Sequence, residues 1–124
     1  MPEFIHLSLV LQTNSLEETE SFYIKQLGFE LVSKEADFLF LVKDYIQLTF
    51  HLPEPSEEAG EPFFTGVLSI ITDNIDVLYE RLKGNEGMIS ESIEVEEDFL
   101  KEFYIKDNNG YVLNFKELNE SDED

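Results

Sequence analysis

FYIKDNNGYVLNF, residues 103–115, is the stretch of this chain that decides the fold. Asp, Asn and Gly tolerate positive φ angles and favour tight turns, so DNNG at 107–110 predicts a hairpin between two strands. An earlier stretch, FLVKDYIQLTF at 40–50, repeats the same pattern of two alternating strands around a turn. A supersecondary unit that occurs twice predicts two similar modules that pack together, because neither copy can bury its sheet alone.

Module one is predicted over about residues 4–52, with a strand at about 4–12 followed by a helix. Ser15 is the expected N-cap of this helix, Glu18 is placed to complete a capping box, and Gly28 ends the helix. Three further strands are predicted in FELVSKE (29–35), FLFLVKD (38–44) and YIQLTFHL (45–52).

The proline- and glutamate-rich segment at 53–62 predicts a linker, and module two follows over about 63–118. Its helix is predicted to begin after the cap Asn74 and to end at Gly84. The strands of this module are predicted in GVLSIIT (66–72), MISESIEV (88–95), FLKEFYIKD (99–107) and YVLNFKEL (111–118), before an acidic tail at 119–124. We therefore expect one α+β domain built from two βαβββ modules.

The charge of the chain limits its partners. Eight Lys and Arg against 28 Asp and Glu give a formal net charge of −20 over 124 residues. Such a field repels phosphate backbones and anionic lipid, so neither nucleic acid nor a membrane is an expected partner. The absence of cysteine excludes disulfides and thiolate metal sites. With no basic leader and no apolar run of about 20 residues, a soluble cytoplasmic protein is expected.

The strand pattern of KDYIQLTFH, residues 43–51, raises the question of function. Successive strand residues point to opposite faces, so one side of this strand is apolar and the other is polar. The polar side faces either water or a pocket, and His51, beside Pro53, is expected to be exposed. The polar side carries Tyr45, Gln47, Thr49 and His51.

Two motifs indicate a family relationship by their order and spacing: the helix end FYIKQLGFELV (22–32) and the closing hairpin at 103–115. Together they strongly resemble the vicinal oxygen chelate superfamily, which includes glyoxalase I, extradiol dioxygenases, fosfomycin-resistance enzymes and bleomycin-resistance proteins. The resemblance spans Phe4 to about Leu118. It implies curved mixed sheets, paired so that they enclose a cavity, commonly within a dimer.

The metal enzymes of this superfamily carry four ligands, and the resemblance places those positions at Ser8, Gln47, Val67 and Asn114. A dication needs several anionic or imidazole donors, which these side chains do not supply. The chain is more similar to the bleomycin-resistance proteins, which sequester a cationic drug without a metal. The shared stretches are DFLFLVKD (37–44), IDVLYERL (75–82) and KEFYIKD (101–107).

The resemblance thus implies a homodimer that binds a small cationic or aromatic molecule, with no catalytic residue, metal or cofactor. Glu102 is expected beside Tyr104, where it could pair with an ammonium group, and Phe38 and Phe40 are expected either at the ligand or in the core. An alternative is a metal-dependent lyase or isomerase whose ligands include His6, and another is an interaction module with a filled interior. The predicted ligand-binding residues are His6, Ser8, Phe40, Gln47, Thr49, Ser69, Tyr104 and Asn114.

Overall fold

The computed structural model describes the chain in four stretches, residues 2–54, 66–84, 89–94 and 100–118. At 89–94, 100, 101 and 118 it describes the backbone alone. The chain divides into two compact units, Met1–Phe63 and Phe64–Asp124. Within the described residues each unit runs strand, helix, strand, strand, strand, which confirms the predicted α+β class with two βαβββ modules. The enclosed cavity stays a prediction.

Sheet one belongs to the first unit and is mixed. The elements of the unit are β1 (Ser8–Gln12), α1 (Leu16–Ser21), a π-helical segment (Phe22–Gln26), β2 (Glu30–Lys34), β3 (Phe38–Lys43) and β4 (Ile46–His51). The strand order is β1-β4-β3-β2, with β1 parallel to β4 and the other neighbours antiparallel.

The core of the first unit lies between sheet one and its helix. Strand alternation turns one face of β3 and β4 toward α1, and the side chains on that face are buried. Tyr23 and Phe50 are both fully buried, with ring centroids 5.1 Å apart. Burying each such side chain stabilises the fold by about 1.5–3 kcal/mol. The opposite face of the sheet is therefore free of this helix, and we call it the helix-free face.

The ends of the first helix follow the sequence closely. The Ser15 Oγ accepts a hydrogen bond from the Glu18 amide at 3.1 Å, which confirms the predicted N-cap. The reciprocal half of the capping box is different, because the Ser15 amide donates to Thr13 Oγ1 at 3.1 Å. Gly28 has a φ of 80°, as expected of a residue that ends a helix in the left-handed region.

The first strand begins later than predicted. The expected strand covered about residues 4–12, whereas β1 begins at Ser8, which pairs with Gln47. In this register residues 4–6 would lie opposite residues 43–45, which precede the start of β4 at Ile46. Phe4 is 99% exposed. Apolar alternation alone overestimated the strand, since a strand also needs a neighbour to pair with.

Sheet two repeats the arrangement in the second unit. Its elements are β5 (Leu68–Ile71), α2 (Ile75–Lys83), β6 (Ile89–Glu94), β7 (Leu100–Lys106) and β8 (Val112–Leu118). The strand order is β5-β8-β7-β6, with β5 parallel to β8. α2 packs on β7 and β8, where Tyr79 meets Phe103 edge to face at 5.5 Å. The opposite face of this sheet is its helix-free face.

Asn74 is the N-cap residue of α2, as predicted, but it does not cap the helix with its side chain. Asn74 precedes the helix with φ 49° and ψ 47°, and its side chain makes no capping hydrogen bond. Instead, Glu117 Oε1 on β8 accepts from the Ile75 amide at 2.7 Å. A carboxylate at this position also interacts favourably with the positive end of the helix dipole. Gly84 is the C-cap residue, where the helix was expected to end.

The DNNG hairpin is confirmed and is organised by its aspartate. Asp107 Oδ1 accepts hydrogen bonds from the Asn109 amide at 2.8 Å and the Tyr111 amide at 2.9 Å. Gly110 takes a φ of 89°, which side-chain-bearing residues rarely adopt. This turn sets the register of β7 against β8, and with it the positions of Tyr104 and Asn114. Among the described residues, no helix is both long enough and apolar enough to cross a bilayer.

Candidate functional site

A hydrogen-bonded row of polar side chains crosses the helix-free face of sheet two. Asn114 on β8 pairs in register with Ser69 on β5 and with Tyr104 on β7. The Ser69 hydroxyl donates to Asn114 Oδ1 at 3.0 Å. Asn114 itself is only 2% exposed. Three of the predicted binding residues are therefore brought together on one face, although their role in binding stays a prediction.

Glu102 adds a negative charge to this row. The Asn114 Nδ2 donates to Glu102 Oε1 at 3.0 Å, and the Tyr104 hydroxyl makes a longer contact of 3.5 Å with the same oxygen. A buried amide thus orients a half-buried carboxylate. Lys116 lies directly opposite Glu102 across the strand pair, so charges of both signs are adjacent here. The sequence predicts that Glu102 lies beside Tyr104, because residues two apart on a strand share a face.

The helix-free face of sheet one carries neutral and aromatic side chains in three cross-strand rows. Strand alternation leaves these residues on the side away from the buried leucines and Phe50. Most of them are half-buried, whereas Ser8 and Val10 are exposed. In strand order β1, β4, β3, the rows are Ser8–Gln47–Val42, Val10–Thr49–Phe40 and Gln12–His51–Phe38.

His51 differs from its prediction. It was expected to be exposed, but it is half-buried at the end of β4, on the same face as Thr49. The ring Nδ1 lies 3.0 Å from the Leu52 carbonyl oxygen. Alternation in the sequence placed His51 on this face, but the contact with the following carbonyl depends on the local backbone and had no sequence signal.

His6 is not brought onto a sheet. It lies in the exposed segment before β1, two residues ahead of Ser8.

The strand register of sheet two distinguishes Ser69 from Val67. In sheet two it is Ser69 that pairs with Asn114, as Ser8 pairs with Gln47 in sheet one, whereas Val67 precedes β5 and is 49% exposed.

The residues at the expected ligand positions do not fit a metal ion. Ser8, Gln47 and Asn114 offer neutral oxygens, and both amide atoms of Asn114 already hold protein partners. Catalytic dications in proteins are usually held by several imidazole or carboxylate groups. Within the stretches that the structure describes, no group of three or more His, Cys, Asp or Glu side chains is arranged to hold a metal.

Two other features lie on α1, away from these faces. The Glu20 carboxylate accepts from Lys34 Nζ at 2.7 Å, and this hydrogen bond and charge raise the pKa of Lys34. The ion pair joins α1 to β2 and is solvent-accessible, so we assign it to the surface of the fold. A shallow depression of about 270 Å³ runs along α1 and the π-helical segment that follows it. It is lined by Glu17, Glu20, Ser21, Ile24 and Lys25.

Comparison with known protein families agrees with the fold. The profile of the Glyoxalase/Bleomycin resistance protein/Dioxygenase superfamily matches residues 5–115. The chain belongs to this superfamily. The match includes both sheets of the glyoxalase/bleomycin-resistance fold, from the segment before β1 to Phe115 on β8. A search of curated proteins returned no match.

Several solved structures are similar over nearly the whole chain. A lactoylglutathione lyase from Agrobacterium tumefaciens is 21% identical with a TM-score of 0.74, covering 94% of each chain. TnmS3, an antibiotic binding protein from Streptomyces sp. CB03234, is 16% identical with a TM-score of 0.74, covering 96% of this chain and 99% of TnmS3. A glyoxalase/bleomycin resistance protein/dioxygenase from Alicyclobacillus acidocaldarius is 21% identical with a TM-score of 0.74, covering 95% and 94%. At these identities the likeness shows the fold alone.

Proposed function

We propose that this chain is a cytoplasmic, homodimeric small-molecule-binding protein that sequesters a cationic or aromatic compound without metal-dependent catalysis. The observation that carries the proposal is the oriented Glu102 carboxylate on the helix-free face of sheet two. Asn114 holds one of its oxygens at 3.0 Å. An antibiotic binding protein, TnmS3, shares this fold.

Glu102 suits a cationic group for electrostatic reasons. A carboxylate is a charged acceptor, and a charge-assisted hydrogen bond contributes more than a neutral one. The Tyr104 ring lies two residues along the same strand, so a ligand ammonium or planar cation could contact both the carboxylate and a π face. The net charge of −20 attracts cationic compounds toward the protein from solution.

The positive charge of Lys116 affects the cation binding proposed for Glu102. Since Lys116 lies opposite Glu102 in register, its positive charge opposes the binding of a cation on this part of the face. Removal of the two charges should therefore change cation binding in opposite directions. A general effect of the protein's charge would have the same two signs, so the effect at Glu102 must exceed that of an equal charge change at a distant site.

The experiment is a thermal-shift screen of cationic antibiotics and aromatic metabolites, starting with metal-free bleomycin, followed by titration calorimetry. A ligand at a hundredfold excess over its dissociation constant should stabilise the protein by about 2.7 kcal/mol. Glu102→Gln keeps an oxygen for Asn114 and should weaken cation binding about tenfold. Lys116→Gln should strengthen it. The matched control is Glu80→Gln on α2, which makes the same charge change at an exposed position.

Three outcomes would contradict the proposal. The first is that no compound in the screen stabilises the protein. The second is that Glu102→Gln and Glu80→Gln weaken binding equally, which would assign the effect to overall charge. The third is one Zn, Ni, Fe or Mn per chain by elemental analysis, together with metal-dependent turnover that His6→Ala abolishes, which would favour the lyase or isomerase alternative. The proposed homodimer is tested separately, because light scattering on the same sample should then give twice the mass of the chain.

A further inference from the structure

The backbone around His51 is held from both sides of sheet one. Its carbonyl oxygen accepts from the Thr13 amide at 2.9 Å, which ties it to the end of β1. The next amide, of Leu52, donates to the Asp37 carbonyl at 2.9 Å, beside the start of β3. Because neighbours on both sides hold the peptide group that follows His51, the imidazole is attached to a rigid point of the sheet.

The side chain of His51 is oriented as well. Its Nδ1 is 3.0 Å from the Leu52 carbonyl oxygen, and a carbonyl oxygen can only accept a hydrogen bond. Nδ1 must therefore carry the proton, since two lone pairs at this separation would repel each other. In the neutral imidazole one nitrogen is a donor and the other an acceptor. Nε2 of His51 is then a hydrogen-bond acceptor with a defined tautomer.

His51 and its neighbours on this face differ in hydrogen-bonding capacity. On either side of His51 in its row are Gln12 and Phe38, and Thr49 is the next residue on the same face of β4. Amide and hydroxyl groups can each donate or accept, and so adapt to either kind of ligand group. A neutral imidazole with Nδ1 engaged can only accept at Nε2. Among these residues, His51 is the one that discriminates by hydrogen-bond polarity.

We propose that His51 is a specificity-determining residue that selects ligands carrying a hydroxyl or N–H donor, through Nε2, on the helix-free face of sheet one. This inference rests on the proposed small-molecule binding and narrows its ligand class. It concerns sheet one, whereas the charge of Glu102 concerns sheet two, so the two assignments can fail separately.

The first test needs no ligand. Long-range ¹H–¹⁵N correlation spectra, recorded at a pH where the His51 imidazole is neutral, report which ring nitrogen carries the proton. The His51 signals are assigned by their loss in His51→Gln. The expected result is a protonated Nδ1 and an unprotonated Nε2. A ring protonated at Nε2 alone would overturn the proposal.

The second test compares 1-naphthol, which has an O–H donor, with 1-methoxynaphthalene, which has none. The wild-type protein should bind 1-naphthol roughly two- to tenfold more tightly, the range expected for one net hydrogen bond. His51→Leu should remove this preference. His51→Gln should keep part of it, because the amide oxygen can accept in place of Nε2. Tyr45→Leu, in the β3–β4 turn at a residue 91% exposed, should leave the preference unchanged.

Equal affinity of the wild-type protein for the two compounds would overturn the proposal, as would a preference for 1-naphthol that persists in His51→Leu. Absence of binding by either compound would overturn it too. If cationic compounds still stabilise the protein in that case, the function proposed above stands and only the role of His51 fails. If 1-naphthol binds as expected but no cationic compound does, the cationic part of the proposed function fails and His51 keeps its role.

Discussion

The two sheets share one topology and one register but differ in chemistry on their helix-free faces. Gln47 of sheet one lies opposite Val42, whereas Asn114, its counterpart in sheet two, lies opposite Tyr104. One step further along the strands, sheet one pairs Thr49 with Phe40 and sheet two pairs Lys116 with Glu102. The same scaffold thus presents aromatic and neutral groups in one copy and charges in the other.

The difference shows which part of each module the fold constrains. On the helix side both sheets bury apolar residues at equivalent places, such as Leu48 in sheet one and Phe115 in sheet two. Apolar burial of this kind provides much of the stability. The helix-free faces are under no such requirement, and their residues differ between the two sheets. In sheet two the polar groups are held by one another, and in sheet one they lie beside aromatic rings.

The largest expected effect comes from equivalent alanine substitutions at the centres of the two faces. Asn114→Ala removes the amide that joins Ser69 to Glu102, and it leaves that carboxylate without its nearest donor. We expect a loss of about 1–3 kcal/mol in the free energy of unfolding. Gln47→Ala, at the half-buried equivalent in sheet one, should cost less than about 1 kcal/mol. Urea denaturation measures both, and equal costs would show that the two faces do not differ in this way.

The turns sharpen the comparison with a smaller effect. Asp107 accepts two backbone hydrogen bonds and is 6% exposed. Asp107→Ala should therefore cost about 1–2 kcal/mol, and Asp107→Asn, which keeps an acceptor oxygen, should cost clearly less. In module one the turn residue Asp44 is exposed with a φ of 52°, and Asp44→Gly should cost little because glycine adopts this angle without strain. Thermal unfolding ranks the three variants, and an Asp44→Gly loss as large as that of Asp107→Ala would contradict the assignment.

Local patterns predicted the elements, and contacts distant in sequence decided the details. The DNNG turn, the cap Ser15 and the glycine Gly28 are each specified by a few adjacent residues, and all three were predicted correctly. The start of β1 depends on where β4 begins, nearly forty residues later in the sequence. The pairing of Ser69 with Asn114 is a matter of strand register, and no local signal distinguishes it from a pairing with Val67. The contact of the His51 ring with the Leu52 carbonyl depends on the local backbone, and no sequence pattern indicates it.

The helix caps give the smallest expected effect and compare a local device with a distant one. Ser15 caps α1 from the adjacent residue, whereas Glu117 caps α2 from another strand of the sheet. Ser15→Ala should cost about 1 kcal/mol. Glu117→Gln keeps an acceptor and loses only the charge, so a cost of about 0.3–1 kcal/mol is expected. Glu117→Ala also frees the Ile75 amide, whose hydrogen exchange should accelerate while amides at the end of α2 change little. If Ile75 remained equally protected in Glu117→Ala, the cap would have to come from elsewhere, and the two modules would be more alike than their hydrogen bonds indicate.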